Sequence, residues 1–312
     1  MTDRYAVIGN PVAHSRSPSI HARFARQTGQ DIEYGRLLAP LDGFVAAVER
    51  FRDAGGRGLN VTLPFKLEAF AWAARRSERA RIAGAVNTLR FDSDGAWGDN
   101  TDGAGLVRDL EDRLGLALAG RSVLILGAGG ATRGVIGPLL DAGVARLTIA
   151  NRTPTRAIEL VDDFLLAAAS RGPAEGASAS PGAAPGARSG ARSGAPPEGV
   201  PAGGRLRGCG FGDAGDGHEL VVNATSAGLA GERLAIADAL LAGAVLAYDM
   251  FYAARETAFV AQALAAGCPR ACDGLGMLVE QAAESFLAWR GVRPLTAPVY
   301  EALRAELAAE AA

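Results

Sequence analysis

Lys66 is the only lysine in a chain of 312 residues; the other 31 of its 32 basic side chains are arginine. A composition so rich in Ala, Gly and Arg places Arg wherever any cation serves, so the one Lys points to a task Arg cannot perform. Arg stays protonated, whereas a lysine can pass on a proton. The segment leading to it, Asn60-Val61-Thr62-Leu63-Pro64-Phe65-Lys66, sets Asn60 and Thr62 on one face of a strand by the two-residue period. Further polar side chains stand at turns: Ser15 and Ser17 in His14-Ser15-Arg16-Ser17-Pro18, Asn87 in Ala85-Val86-Asn87-Thr88, and Asp102 in Asp99-Asn100-Thr101-Asp102-Gly103. So many uncharged hydrogen-bonding groups suit a small polyhydroxylated ligand. Taken singly, each also has a structural use, Ser15 and Ser17 as helix caps, Asn87 and Asp102 as turn formers.

A second group of residues suits phosphate. The run Gly127-Ala128-Gly129-Gly130-Ala131-Thr132-Arg133-Gly134 lies between an apolar stretch at 123–126 and a helical pattern at 131–141. Gly127 permits a tight turn, Gly129 lets the backbone approach a pyrophosphate, and the helix start offers free N–H groups and the positive end of its dipole. Thr132 stands where the general G-x-G-x-x-G pattern has its third glycine, and a small residue there still allows close helix–strand packing. The alternative is an ordinary tight turn. An NAD site expects an acid after the next strand, accepting from the ribose 2′-hydroxyl. This chain has Asn151-Arg152-Thr153 there, with Arg156 one helical step on. Two guanidiniums and a hydroxyl suit a 2′-phosphate, so NADP is the expected cofactor; Arg156 also reads as a solvated helix residue.

These residues need elements to hold them. In the first hundred residues, strand-like stretches at 5–8 and 58–63 alternate with helical patterns at 20–27 and 44–54, and Asp92-Ser93-Asp94-Gly95 predicts a hairpin. From Gly120 the pattern becomes parallel α/β: strands at 123–126, 147–150, 221–223 and 245–249, helices at 131–141 and 156–169. Such alternation implies a doubly wound sheet with right-handed crossovers. A Gly/Ala/Ser/Pro/Arg tract at about 171–205 has almost no large apolar residue and is expected to be a disordered insertion. Helical patterns return at 275–289 and 298–307.

Bulk properties narrow the classes. The length allows two domains, and 49% apolar with 21% charged residues is ordinary for a soluble globular chain. A net charge of −2 argues against non-specific nucleic-acid binding. No apolar stretch is long enough for a membrane helix, and the N-terminus lacks a secretory signal pattern. Cys209, Cys268 and Cys272 are too few for a disulfide framework and lack zinc spacing, so reduced thiols, no metal and a cytoplasmic location are expected.

In order along nearly the whole chain, the segments at 9–18, 60–66, 84–88, 99–103, 127–131 and 151–153 resemble the shikimate dehydrogenase family. So do Asn223-Ala224-Thr225-Ser226, Asp249-Met250-Phe251-Tyr252, and Asp273-Gly274-Leu275-Gly276-Met277 with Gln281; only the insertion has no counterpart. The resemblance implies reversible NADP-dependent reduction of 3-dehydroshikimate to shikimate, on the route to chorismate and the aromatic amino acids. It implies shikimate contacts from Ser15, Ser17, Asn60, Thr62, Lys66, Asn87, Asp102, Tyr252 and Gln281, with Lys66 as the acid/base. It implies cofactor contacts from Gly127, Ala128, Gly129, Gly130, Ala131, Asn151, Arg152, Thr153, Arg156, Met250 and Gly274, and from Glu78. The architecture implied is an N-terminal α/β substrate domain, residues 1–102 with 275–312 returning to it. A Rossmann-like doubly wound NADP-binding domain, residues 103–274, would face it across a cleft.

Hydride reaching a carbonyl carbon leaves negative charge on oxygen, which needs a proton or a fixed cation at that moment. Lys66 can supply both, with Asp102 orienting it or acting with it as a pair; His14 is the rival proton donor. The expected partner is the small-molecule substrate, without nucleic acid or membrane, and a homodimer is the assembly entertained. Two other functions fit parts of the pattern. One is a quinate/shikimate dehydrogenase with relaxed cofactor or substrate choice. The other is a non-catalytic NADPH-sensing regulator, which would need the glycine turn and Arg152 but neither Lys66 nor Asp102.

Overall fold

The computed structural model describes residues 2–170, 202–225, 231 and 233–311, and the elements fall into two six-stranded sheets. The first sheet has the order β2 (Ile32–Leu38), β1 (Asp3–Gly9), β3 (Gly56–Val61), β5 (Thr88–Asp92), β6 (Gly95–Asp99), β4 (Arg75–Arg76). β1 runs parallel to both its neighbours, whereas β3–β5 and β5–β6 are antiparallel, the latter closed by the expected hairpin. On one face Ile8, Leu59, Val61 and Leu89 pack with Phe44, Val48 and Phe65 beneath α2 (Phe44–Asp53) and α3 (Lys66–Trp72). Near the other face, Ile20 and Phe24 of α1 (Ser17–Thr28) share a core with helices from the far end of the chain. Those are α11 (Leu275–Arg290) and α12 (Ala297–Ala311), which contribute Val279, Phe286, Leu303 and Leu307. Each such fully buried side chain is worth about 1.5–3 kcal/mol.

The second sheet is all parallel, in the order β12 (Ala271–Cys272), β11 (Leu246–Asp249), β10 (Leu220–Asn223), β7 (Ser122–Leu126), β8 (Arg146–Asn151), β9 (Leu206–Gly210). Its strands are apolar on both faces. In β7, Val123 and Ile125 join a core with α5 (Asp102–Arg108), α6 (Gly130–Asp141) and α7 (Pro154–Ala169). Leu124 and Leu126 join the opposite core with α9 (Asp238–Ala242) and α10 (Ala258–Ala265). The chain leaves β7 toward β8 and β9, then returns to β10 on the other side. That switch point, at the carboxyl ends of β7 and β10, is where doubly wound sheets bind ligands.

α5 runs on into a π turn at Asp109–Arg113 and connects the two sheets. A Cβ on Gly103 would meet Gly134 O of α6 at 2.4 Å, and one on Gly105 would meet the Gln281 backbone N of α11 at 2.7 Å. Backbones can come this close only without side chains.

Some boundaries differ from expectation. The strand assigned to 58–63 spans Gly56–Val61, so Thr62 lies just beyond it. The insertion assigned to 171–205 lies outside the described residues up to 201. Its last four residues are not disordered but form a helical turn, α8 (Ala202–Arg205), because Leu206 already pairs with Leu147 and holds the chain at the sheet edge. β2, β4, β9, β12 and the helices α3, α4 (Glu78–Ala83), α5, α9 and α10 were not anticipated.

Candidate active site

Lys66 opens α3 directly after buried Phe65, and its carbonyl accepts the Val86 N–H at 2.9 Å. Asp102 opens α5, where the positive end of the helix favours a carboxylate. The segments carrying these residues are laced together. Asn100 Oδ1 accepts the Asp102 N–H at 3.1 Å, Asn100 Nδ2 donates to Ala85 O at 3.1 Å, and Asn87 N–H donates to Asp99 O at 2.9 Å. The result brings Lys66 Nζ to 2.5 Å from Asp102 Oδ2, with the two side chains 16% and 8% exposed. Charges so deeply placed persist only when paired and hydrogen-bonded, and here both carboxylate oxygens are used: Asn87 Nδ2 donates to Asp102 Oδ1 at 2.7 Å.

The Asn87 amide has one permitted orientation. Its Oδ1 accepts the Thr101 backbone N–H at 2.9 Å, which fixes Nδ2 toward Asp102. Gln281 of α11 brings Oε1 to 3.4 Å from Asn87 Nδ2, so the far end of the chain reaches the same spot. Asn60 is fixed likewise: Tyr34 Oη donates to its Oδ1 at 2.7 Å, and its Nδ2 donates to Ser285 Oγ at 2.9 Å. Thr62, half-buried, has no side-chain hydrogen bond among the described residues. Ser15 Oγ donates to Ser17 Oγ at 3.1 Å. Arg16 is the N-cap of α1 and its own side chain makes no cap bond, but Ser15 Oγ accepts the Ser17 backbone N–H at 3.3 Å, so Ser15 satisfies the first N–H of that helix. Tyr252 lies near the same turn, and burial pushes the pKa of its phenol up, with Arg16 opposing the shift. His14, the rival proton donor, is exposed and has no hydrogen bond to Lys66 or Asp102.

The glycine turn occupies the switch point of the second sheet. Gly127 has φ +109°, a conformation that favours glycine, and a Cβ there would also meet the Ala224 and Thr225 backbone at 3.1 Å. Thr132 is fully buried and donates to Gly127 O at 2.8 Å, closing the turn where a third glycine was the general expectation. Gly129 and Gly130 face open space, and no side chain caps α6, so the N–H groups of its first turn are available to a phosphate. Ala128 packs on the core below, and Ala131 is half-buried in that first turn.

β8 runs in register beside β7 and ends at Asn151, whose side chain donates to Thr153 O at 2.9 Å and shapes the turn. Arg152 and Arg156 are exposed there and have no ion-pair partner among the described residues. Met250 and Gly274 meet at the ends of β11 and β12, where a Cβ on Gly274 would lie 2.5 Å from Met250 O. Beneath them Asp249 is buried, and burial raises its pKa although Thr257, Asn223 and the Phe251 N–H all hydrogen-bond it. These loops form a cradle with an open helix start and two free cations, which fits a dinucleotide carrying an extra phosphate. Glu78 opens α4. It lines a cavity of about 90 Å³ between α4 and α6 with Arg133, Gly137 and Asp141.

Sequence reasoning missed the side chains that hold the asparagines. Tyr34 sits on an unanticipated strand, and Thr88 and Thr101 are neighbours of residues singled out. Ser285 had one available signal, its place one helical turn after Gln281.

Three family models match the chain. The shikimate dehydrogenase substrate binding domain covers residues 7–89, shikimate/quinate 5-dehydrogenase covers 109–171, and the shikimate 5′-dehydrogenase C-terminal domain covers 274–304. The NADP(+) shikimate dehydrogenase of Aromatoleum aromaticum is 54% identical over 98% of both chains. Among solved structures, an Ael1 enzyme from Pseudomonas putida is 41% identical with a TM-score of 0.79, covering 97% of this chain and 98% of its own. Shikimate 5-dehydrogenase from Thermus thermophilus in complex with NADP(H) and shikimate is 31% identical with a TM-score of 0.76, covering 97% of this chain and 99% of its own.

Proposed function

The chain belongs to the shikimate dehydrogenase family, and we propose that its Lys66–Asp102 pair is the acid–base centre for the reaction. That reaction is the NADP-dependent, reversible reduction of 3-dehydroshikimate to shikimate. The nicotinamide, when bound, supplies or accepts the hydride. The chain's own part begins with Lys66: as ammonium it stabilises the negative charge that develops on the substrate oxygen, and gives that oxygen a proton. In the oxidative direction the same nitrogen takes the proton back. Asp102 Oδ2 aims the ammonium, and Asn87, turned by the Thr101 N–H, keeps Asp102 from rotating away.

Ser15, Ser17, Asn60, Thr62, Asn87, Tyr252 and Gln281 would contact the hydroxyls and carboxylate of the ring. The turn Gly127–Ala131 would hold the pyrophosphate, and Asn151, Arg152, Thr153 and Arg156 the 2′-phosphate. Met250 and Gly274 would meet the nicotinamide end. Glu78 would reach the cofactor from the flank of α6. We assign residues 1–102 and 275–312 to substrate and 103–274 to cofactor. A cytoplasmic location accords with three free cysteines, and a homodimer is the assembly to test by light scattering.

The observation that carries the reading is a half-buried lysine paired with a buried aspartate, built on the one lysine in the chain and flanked by oriented asparagine and glutamine amides. Following NADPH formation with shikimate tests it. Lys66→Ala and Asp102→Ala should each lower turnover at least about 100-fold, the smaller end for lost acid–base catalysis. Near-normal turnover in Lys66→Ala would end the assignment. Faster reaction with quinate or with NAD would move the enzyme to the broader quinate/shikimate class.

A further inference from the structure

On this reading of the site, on which the inference rests, we propose that Ser285 is a positioning residue for the ring substrate, joining the two oriented asparagines to α11. Ser285 is fully buried one turn after Gln281. Its hydroxyl accepts from Asn60 Nδ2 at 2.9 Å, lies 2.8 Å from Thr88 Oγ1 and 3.3 Å from Thr101 Oγ1, and can donate to Gln281 O at 3.1 Å. Thr88 Oγ1 in turn donates to Asn87 Oδ1 at 2.9 Å.

The donors and acceptors allow this chain to run in one direction. Tyr34 Oη–H fixes the acceptor end of Asn60, so the Asn60 amide must donate onward, and Ser285 Oγ receives it at the shortest distance. A hydroxyl that has accepted still has one proton to give. Thr88 Oγ1 is the nearer acceptor, and Thr88 passes its own proton to Asn87 Oδ1. Asn87 Nδ2 then donates to Asp102. With Ser285 donating to Thr88, every bond from Tyr34 to Asp102 points the same way, and Ser285 is the link that α11 contributes.

Removing the Ser285 hydroxyl breaks the chain between the two asparagines. It frees Asn60 from α11 and loosens the helix face that presents Gln281. It leaves the Lys66–Asp102–Asn87 group in place, because the Thr101 N–H alone still orients Asn87. Substrate binding should therefore suffer while the proton-transfer step does not.

The test is steady-state kinetics on the wild type, Ser285→Ala and Thr88→Val, varying shikimate and NADP separately. Each variant should raise KM for shikimate roughly 3- to 10-fold, the worth of about one net hydrogen bond. The value of kcat, its pH profile and KM for NADP should stay within about twofold, and the double variant should show less than the product of the two single effects. Thr88→Val keeps the shape of the side chain and interrupts the same chain one link on, so it decides the question even if Ser285→Ala fails to fold. An unchanged KM for shikimate in either folded variant overturns the proposal. So does an equal loss across kcat and both KM values, which would mean general loosening of the fold. A wild-type enzyme that does not oxidise shikimate removes the underlying reading, and the proposal with it, before any variant is made.

Discussion

Lys66 and Arg152 carry the same charge in opposite settings. Lys66 is enclosed and its ammonium is committed to Asp102, as a proton donor held for one atom should be. Arg152 stands exposed after β8 with no acid paired to it among the described residues, whereas Arg133, in the first turn of α6, is spent on Asp163 at 2.8 Å. A guanidinium left free at that position is available to a phosphate, and a charged hydrogen bond of this kind is worth about 1.5–3 kcal/mol. Arg152→Ala should accordingly raise KM for NADP by roughly 10-fold or more. KM for shikimate should hold, and any reaction with NAD should be unaffected; equal losses with NAD and NADP would show that Arg152 does not read the 2′-phosphate. At this scale the sequence was informative where residue type is itself unusual. A single lysine, and an arginine where an acid is expected, are visible without coordinates. Tyr34, Thr88, Thr101 and Ser285 were not, because a buried hydroxyl acquires its role only from what other segments bring to it. Asn60 and Ser285 are 225 residues apart, and no local pattern relates them.

The turn between β7 and α6 shows the same division among elements. Its existence could be read from an apolar run, glycines and a helical period. The means of closure could not: Thr132 replaces close glycine packing with a hydroxyl bond to Gly127 O, and Gly127 itself is pressed against the loop after β10. Gly127→Ala would combine a φ of +109°, unfavourable for any side chain, with a Cβ contact of 3.1 Å against backbone that has little room to give. The expected cost is about 1–3 kcal/mol, seen as a fall of several degrees in Tm together with a higher KM for NADP and an unaltered KM for shikimate. An unchanged Tm would show that the turn relaxes freely. Buried parallel strands were legible because both their faces are apolar. β2 was not, since Ile32–Leu38 interleaves Glu33, Gly35 and Arg36 at a sheet edge, and α3 to α5 are too short to show a helical period. β9 follows directly on the biased tract, whose composition concealed where order resumes.

Across the whole molecule, the first sheet is completed by residues from the other end of the chain, and His21 lies where they meet. Its ring is fully buried, stacks on Tyr34 at 4.2 Å and 7°, and lies 6.1 Å from Phe286 and 5.3 Å from Trp289 of α11. Neither ring nitrogen has a hydrogen-bond partner among the described residues. Burial lowers its pKa to about 3; the neighbouring Asn60 amide, whose bonds go to Tyr34 and Ser285, opposes the shift without reversing it. In the unfolded chain the same imidazole titrates near 6.5. Between those values the unfolded state binds the proton and the folded state refuses it. The stability that neutral His21 allows is therefore complete above about pH 6.5 and is lost progressively as pH falls toward 3, at up to about 1.4 kcal/mol per pH unit. His21→Phe keeps an aromatic ring in the stack and removes the titration. Urea unfolding at pH 7, 5.5 and 4.5 should show the wild type losing ground to His21→Phe at about that slope, whatever their difference at pH 7. Parallel pH dependences in the two proteins would mean that the interface opens to solvent and lets the imidazole take its proton while folded.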